Sequence, residues 1–408
     1  MQCRFCKTEL IHEFIDLINA PASNSFLSRE QLNEPEVFFP LKVLVCHKCF
    51  LVQVDEYKKS DAIFDSDYVY FSSFSTSWLA HAKRYTEMIT ERLQLTPHSK
   101  VIEIASNDGY LLQNFVKTGI PVLGIEPTKN TAAVAVQKGI ETITEFFGSA
   151  LAKRLAASGT MADLFLGNNV LAHVPDIVDL VKGMKIILKP VGVVTMEFPH
   201  LLQLIRHSQF DTIYHEHFSY LSFYSVKQIF ESQGLEMFDV EEIPTHGGSL
   251  RIYAKHAGAE QHVIKESVQL LIDKEINEGM ANLEYYSDFR AKVMHVKLGF
   301  LQFLVDTKTK NQSVAAYGAA AKGNTLLNYC GVKNDLISFV VDANPNKQNK
   351  FLPGSHIPVT NEQMLKDRKP DFVVIFPWNL KEEIVQQLSY IRAWGGKFVI
   401  PLPDLEII

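Results

Sequence analysis

Twice along this chain an apolar run gives way to a turn of small residues, then to a helical pattern, then to a second apolar run that stops on an acid. A strand covered on both faces must be apolar throughout, and a parallel neighbour needs a crossover helix, so this order predicts a parallel sheet. The first copy is Lys100-Val-Ile-Glu-Ile104, the turn Ser106-Asn-Asp-Gly109, the helix-spaced Leu111, Leu112 and Phe115 ended by Gly119, and Pro121-Val-Leu-Gly-Ile-Glu126. Asp163–Gly167, followed by Asn168-Asn169, and Gly192–Glu197 read as further strands. Leu235–Ile243 and Ser249–Lys255 flank Pro244-Thr-His-Gly-Gly248 and predict an antiparallel finish. The second copy runs from Ser313–Tyr317 through Gly318-Ala-Ala-Ala-Lys-Gly323 and a helix at Asn324–Tyr329 to the strand Leu336–Asp342, with Asp371–Phe376 and Gly395–Ile400 after it. The predicted fold class is α/β, with two doubly wound, Rossmann-like units, the second shorter. Residues 1–70 form a separate N-terminal module, 71–258 the first unit, 259–310 a helical connector and 311–408 the second unit. The first unit opens with an aromatic and hydroxyl-rich stretch, Tyr68–Trp78, and an amphipathic helix over 77–93.

Four of the five cysteines are paired, as Cys3-Arg-Phe-Cys6 and Cys46-His-Lys-Cys49. Two such knuckles offer four thiolates, the donor set of a tetrahedral zinc ion whose filled shell leaves no place for water. The expected role is therefore structural. The stretch between the pairs is too long for a compact ribbon and must hold a folded insert. His47 adjoins Cys46 and would strain the knuckle as a ligand, and Cys330 reads as a small buried hydrophobe. A net charge of −6 carries no basic footprint for nucleic acid. The longest apolar runs have strand length, so no membrane span is expected. Met1-Gln-Cys-Arg4 shows no apolar leader, and a cytoplasmic, reducing setting is expected.

In an open parallel sheet, ligands sit beyond the carboxyl ends of the strands. Glu103, Ala105, Asn107, Asp108 and Gly109 occupy the first such end. A single glycine does not make the G-x-G-x-x-G cradle for a pyrophosphate. One tight turn without a phosphate loop suits an adenosine cofactor lacking phosphate, such as S-adenosylmethionine. Glu126 would accept from both ribose hydroxyls, and Asn168 would line the methionine end. Farther on, Tyr214-His-Glu-His-Phe-Ser-Tyr220 gathers two imidazoles, a carboxylate and two phenols. It is not a zinc-protease helix, because Ser219 stands four residues after His215. As a strand it would align His215 with His217; as a helix, Tyr214 with His217 and Tyr220.

The paired cysteines, Glu103-Ile-Ala-Ser-Asn-Asp-Gly-Tyr-Leu-Leu112, Asn169-Val-Leu-Ala-His-Val174, Tyr214–Tyr220, His246-Gly-Gly-Ser-Leu-Arg251 and Gly318-Ala-Ala-Ala-Lys-Gly-Asn-Thr-Leu-Leu-Asn328 together resemble the zinc-containing sugar C-methyltransferases. The resemblance covers nearly the whole chain, in order. Ala105 departs from it, standing where many methyltransferases carry glycine. It implies methylation at C3 of a nucleotide-linked 4-keto-6-deoxy sugar (dTDP or GDP) by S-adenosylmethionine, and a chain that leans towards a monomer. The family's proton-handling residues map onto His217, Tyr214, Glu216 and His173, with Tyr70 the weaker match. The expected base is His217, with Glu216 orienting an imidazole and with Tyr214 and His173 donating to the enolate oxygen; the two histidines could exchange roles. Lys322 and Asn324, at the start of the later helix, would meet the diphosphate, and His246 and Arg251 would bind substrate. Rival readings are an O- or N-methyltransferase, an NAD-dependent nucleotide-sugar oxidoreductase, and a scaffold whose zinc module binds partners.

Overall fold

The computed structural model describes residues 1–57 and 71–408. Tyr70, with the start of the aromatic stretch before Trp78, lies outside the described residues. Between the two cysteine knuckles the insert folds as strands β1 (His12–Ala20) and β2 (Phe39–Val45), and β3 (Val52–Val54) follows the second knuckle. The three form an antiparallel meander whose inward residues, Phe14, Leu17, Leu41, Val43, Val52 and Val54, are buried.

The first Rossmann-like unit supplies β4 (Val101–Ile104), β5 (Val122–Ile125), β6 (Thr142–Ile143), β7 (Ala162–Asn168) and β8 (Leu188–Pro199), all parallel. The chain then leaves this sheet. A two-residue strand, β9 (Ser219–Tyr220), pairs with β3 and makes the fourth strand of the N-terminal sheet. β10 (Leu235–Ile243) and β11 (Ser249–His256) return, with β11 antiparallel to β8, in the order β10-β11-β8-β7-β4-β5-β6. The strand order reverses between β4 and β7, which opens a crevice at their carboxyl ends.

After the helices Glu266–Asn277 and Phe289–Thr309, the second unit forms β12 (Val314–Tyr317), β13 (Val340–Val341), β14 (Val359–Thr360), β15 (Phe372–Ile375), β16 (Lys397–Ile400) and β17 (Glu406–Ile407). Their order is β14-β13-β12-β15-β16-β17, and only β17 is antiparallel. The strand expected over 336–342 is reduced to β13, because the amides of Leu336 and Ile337 turn back onto the Lys333 carbonyl. The helix expected from Asn324 starts earlier, at Ala321, which puts Lys322 in its first turn. One hydrophobic core runs from Phe14 and Val43 through Phe210, Phe289 and Phe300 to Val314 and Val340, so the N-terminal sheet and the second unit pack as one body. The cysteines belong to another core, with Phe165 and Met196 of the first unit. No helix among the described residues is long and apolar enough to cross a membrane.

Candidate active site and zinc site

A cavity of about 620 Å³ lies over the carboxyl ends of β4, β5 and β7. Its wall includes Ala105, Asn107, Glu126 and Asn168 from the first unit, Tyr214, Glu216 and His217 from the heptad, and Lys322 and Lys347 from the second unit. Three differently built regions thus share one space.

The cofactor end is made by left-handed backbone. Ala105 has φ 50°, Asn107 51° and Gly109 74°. Such turns favour glycine, so Ala105 keeps the turn at a steric cost. Glu126 is 4% exposed, and it accepts from the amides of Asn107 and Thr128, each at 2.9 Å, and from the Thr128 hydroxyl. A carboxylate has about four lone-pair positions, so it can still accept from a ligand. Asn168 Nδ2 and Asn169 Oδ1 are buried without a hydrogen-bond partner among the described residues, at the end of β7. Unsatisfied amide groups on a cavity wall fit a polar ligand such as the methionine part of S-adenosylmethionine. Three expected cofactor residues lie behind the wall. Glu103 is fully buried, and burial beside Glu126 and Asp108 raises its carboxyl well above the usual range. Asp108 is 3% exposed and pairs with Lys138 at 3.4 Å. Gly109 packs against Ile140 and Ala135, closing the turn.

The heptad is neither the strand nor the helix considered for it. The His217 amide donates to the Tyr214 carbonyl at 2.9 Å, and the resulting turn sets the two ring centroids 4.1 Å apart with the rings tilted by 33°. His217 Nδ1 lies 2.9 Å from the Thr212 carbonyl and must donate to it, so Nε2 is the acceptor for the Tyr214 hydroxyl at 3.0 Å. Burial and the neighbouring His173 hold His217 well below its usual pKa. His173 stands edge-on to it at 4.5 Å and donates from Nδ1 to the Glu216 carbonyl at 2.8 Å. Burial lowers its pKa to about 4. A neutral ring that donates from Nδ1 leaves Nε2 as an acceptor, whereas a donor was expected of His173. The backbone carbonyl of Glu216 accepts from His173 Nδ1, and its carboxylate accepts from Asn24 at 2.8 and 2.9 Å. His215 is turned away, donating from Nε2 to the Pro40 carbonyl at 3.1 Å.

His246 does reach the cavity wall, in a left-handed turn at φ 54°, where its Nε2 accepts from Asn169 Nδ2 at 2.9 Å. Arg251 does not. It is spent on Glu197 and Glu241, each at 3.1 Å, beneath the wall. Lys322 lies on the wall, donating to Asn379 Oδ1 at 2.8 Å with its ammonium 4.3 Å from the Trp378 ring centroid. Asn324, expected beside it, is buried and donates to the Ser23 carbonyl at 2.5 Å instead. Sequence reasoning missed Asn24 and Lys347. Neither lies in a motif, and each arrives from a different part of the fold.

The four cysteine sulfurs lie within 4.8 Å of one another. Lys7 and Phe50 adopt left-handed φ values of 60° and 57° just past each pair, and Lys7 N and Phe50 N bond back to the carbonyls of Cys3 and Cys46. Gln53 Nε2 donates to Cys3 Sγ at 3.3 Å. Four converging sulfurs with a donor on one of them fit a tetrahedral zinc ion. His47 is exposed and stacks edge-on against His12, outside the cluster.

Three family models match consecutive stretches of the chain. They describe a zinc binding domain over residues 3–64, a methyltransferase domain over 78–240, and a C-methyltransferase C-terminal domain over 244–403. C-methyltransferase NovU from Streptomyces niveus is 33% identical over 407 residues, covering 100% of this chain and 96% of that one. Among solved structures, an S-adenosylmethionine-dependent methyltransferase from Clostridium acetobutylicum aligns at 10% identity over 43% of this chain and 91% of its own, with a TM-score of 0.35. The PH0226 protein from Pyrococcus horikoshii aligns at 14% identity over 46% and 95%, with a TM-score of 0.39.

Proposed function

The chain belongs to the zinc-containing C-methyltransferase family, and from that premise we propose that it methylates C3 of a nucleotide-linked 4-keto-6-deoxy sugar through an enolate. It is an S-adenosylmethionine-dependent enzyme with a structural zinc. The substrate reading rests on one observation: a single cavity joins a cofactor turn, a neutral proton-handling cluster and a cationic helix start. In this reading Glu126 accepts from the ribose, Asn168 meets the methionine end, and Lys322 faces the diphosphate of a dTDP- or GDP-linked sugar.

The C4 ketone acidifies the C3 hydrogen. His217 takes that proton on Nε2, the nitrogen that carries the Tyr214 hydroxyl while no substrate is bound. A sugar arriving there displaces the hydroxyl, which then donates to the developing C4 oxyanion. The Thr212 carbonyl holds the tautomer that leaves Nε2 unprotonated. Held by Glu126 and Asn168, S-adenosylmethionine would supply the sulfonium methyl group, so that C3–CH₃ replaces C3–H and S-adenosylhomocysteine would be the second product. The proton taken by His217 passes to solvent. His173, an acceptor 4.5 Å away between ring centres, orients a sugar hydroxyl or relays that proton.

The test is a panel of nucleotide-linked 4-ketosugars scored by the mass gain of one methyl. His217→Asn should lower kcat by about 10²–10⁴-fold, the usual worth of a positioned base, with both ligands still bound. Near wild-type turnover by His217→Asn with a dead His173→Asn would move the base to His173. Activity in both would remove the support for the enolate and favour O- or N-methylation.

A further inference from the structure

A segment of the zinc module enters the active site. After β1 the chain turns at Pro21–Phe26, with Ser25 N bonded to the Ala22 carbonyl at 3.0 Å, and the turn puts Asn24 on the cavity wall. There its Nδ2 donates to both carboxylate oxygens of Glu216, 192 positions away in sequence. Glu216 is 4% exposed, and a carboxylate that deep needs donors to compensate lost water. The backbone carbonyl of this same Glu216 accepts from His173 Nδ1 at 2.8 Å. The turn itself is clamped from the other side. Buried Asn324 donates to the carbonyl of Ser23, and Leu27, just past the turn, pairs with Phe351.

We propose that Asn24 is a positioning residue for methyl transfer: seated by the second unit through Asn324, it pins Glu216 and thereby the carbonyl that keeps His173 in its Nδ1–H tautomer. Which imidazole nitrogen is left as the acceptor is set by what the other nitrogen donates to. Loosening Glu216 lets the ring rotate or change tautomer, and misplacement on this scale costs rate rather than ligand affinity. This explains why Asn324, at the start of a helix expected to meet the diphosphate, faces the zinc module instead. The inference rests on His173 being part of the methyl-transfer cluster.

The test uses the full-length, zinc-loaded enzyme. Asn24→Ala should lower kcat by about 10–100-fold, with the KM for the nucleotide-ketosugar and the affinity for S-adenosylhomocysteine within about twofold of wild type. Combined with Glu216→Ala, the loss should be far from additive, because the two residues act through one contact. A second readout needs no substrate. With ¹⁵N-labelled histidine, and His173 assigned by its own mutant, wild type should give the Nδ1–H tautomer and Asn24→Ala a mixture. An unchanged kcat, additive losses, an unaltered His173 tautomer, or a lowered melting temperature with equal loss of cofactor binding would each overturn the proposal. If wild type methylates no nucleotide-ketosugar, the substrate reading fails, while the histidine spectra still decide the role of Asn24.

Discussion

Lys322 makes the sharpest prediction, because its charge is poised near the working pH. Burial lowers its pKa to about 8, against the opposing pull of Asp211. Asp211, 1% exposed, accepts from Trp378 Nε1 at 2.7 Å, and burial raises its pKa to about 6. At pH 7 the ammonium is about nine-tenths charged, and at pH 9 about one-tenth. If the charged form meets the diphosphate, kcat/KM, which reports the free enzyme, should fall about tenfold between pH 7 and pH 9. The acid side should show no fall down to about pH 5. His173 and His246 are held near 4, so both remain neutral there, and protonating Asp211 removes a negative charge that would oppose the diphosphate. Lys322→Ala should cost about 1.5–3 kcal/mol of substrate binding, the range for a charge-assisted hydrogen bond. It should appear as a raised KM with kcat and cofactor affinity kept. Lys322→Arg, charged throughout, should abolish the alkaline fall. The assay is initial-rate methyl transfer across pH 5–10, with S-adenosylhomocysteine titrated at each end. A wild-type profile flat to pH 10, or the same alkaline limb in Lys322→Arg, would refute the assignment.

Three further outcomes are expected. Protein purified without chelator should carry one zinc per chain by elemental analysis, and Cys46→Ser should lower both the zinc content and the melting temperature, since metal binding at such a site contributes folding free energy. Glu126→Ala should weaken S-adenosylhomocysteine binding by about 1.5–3 kcal/mol in a calorimetric titration; unchanged affinity would mean that the ribose lies elsewhere. Gly109→Ala should destabilise the fold by about 2–5 kcal/mol, because φ is 74° there and an added Cβ would sit 2.3 Å from Ile140 Cδ1. The variant that still folds should keep its cofactor affinity, because Gly109 lies off the cavity wall.

What could be read in advance follows from what local sequence encodes. Burial on both faces writes a parallel strand as an apolar run, so β4, β5, β7, β8, β12, β15 and β16 stood out, and the two C-x-x-C pairs announced their cluster. The short edge strands β14 and β17 carry no such run and were invisible. So was β9, whose two residues are a strand only because β3 lies beside them. The same limit explains the site. The place of Glu126 and Asn168 on the cavity wall could be read because each ends a strand whose direction fixes where the side chain emerges. Arg251 and Asn324 were misjudged because a motif gives a residue's neighbours in sequence, not the charge or carbonyl that awaits it in space. Arg251 found Glu197, 54 residues earlier, and Asn324 found Ser23, 301 residues earlier. Asn24 had no signal at all. Its meaning lies wholly in a contact between the zinc module and the heptad, which exists because β9 adds the heptad's end to the zinc module's sheet. The cysteine cluster and the histidine cluster, read from sequence as two separate pieces of chemistry, are thus joined through one sheet.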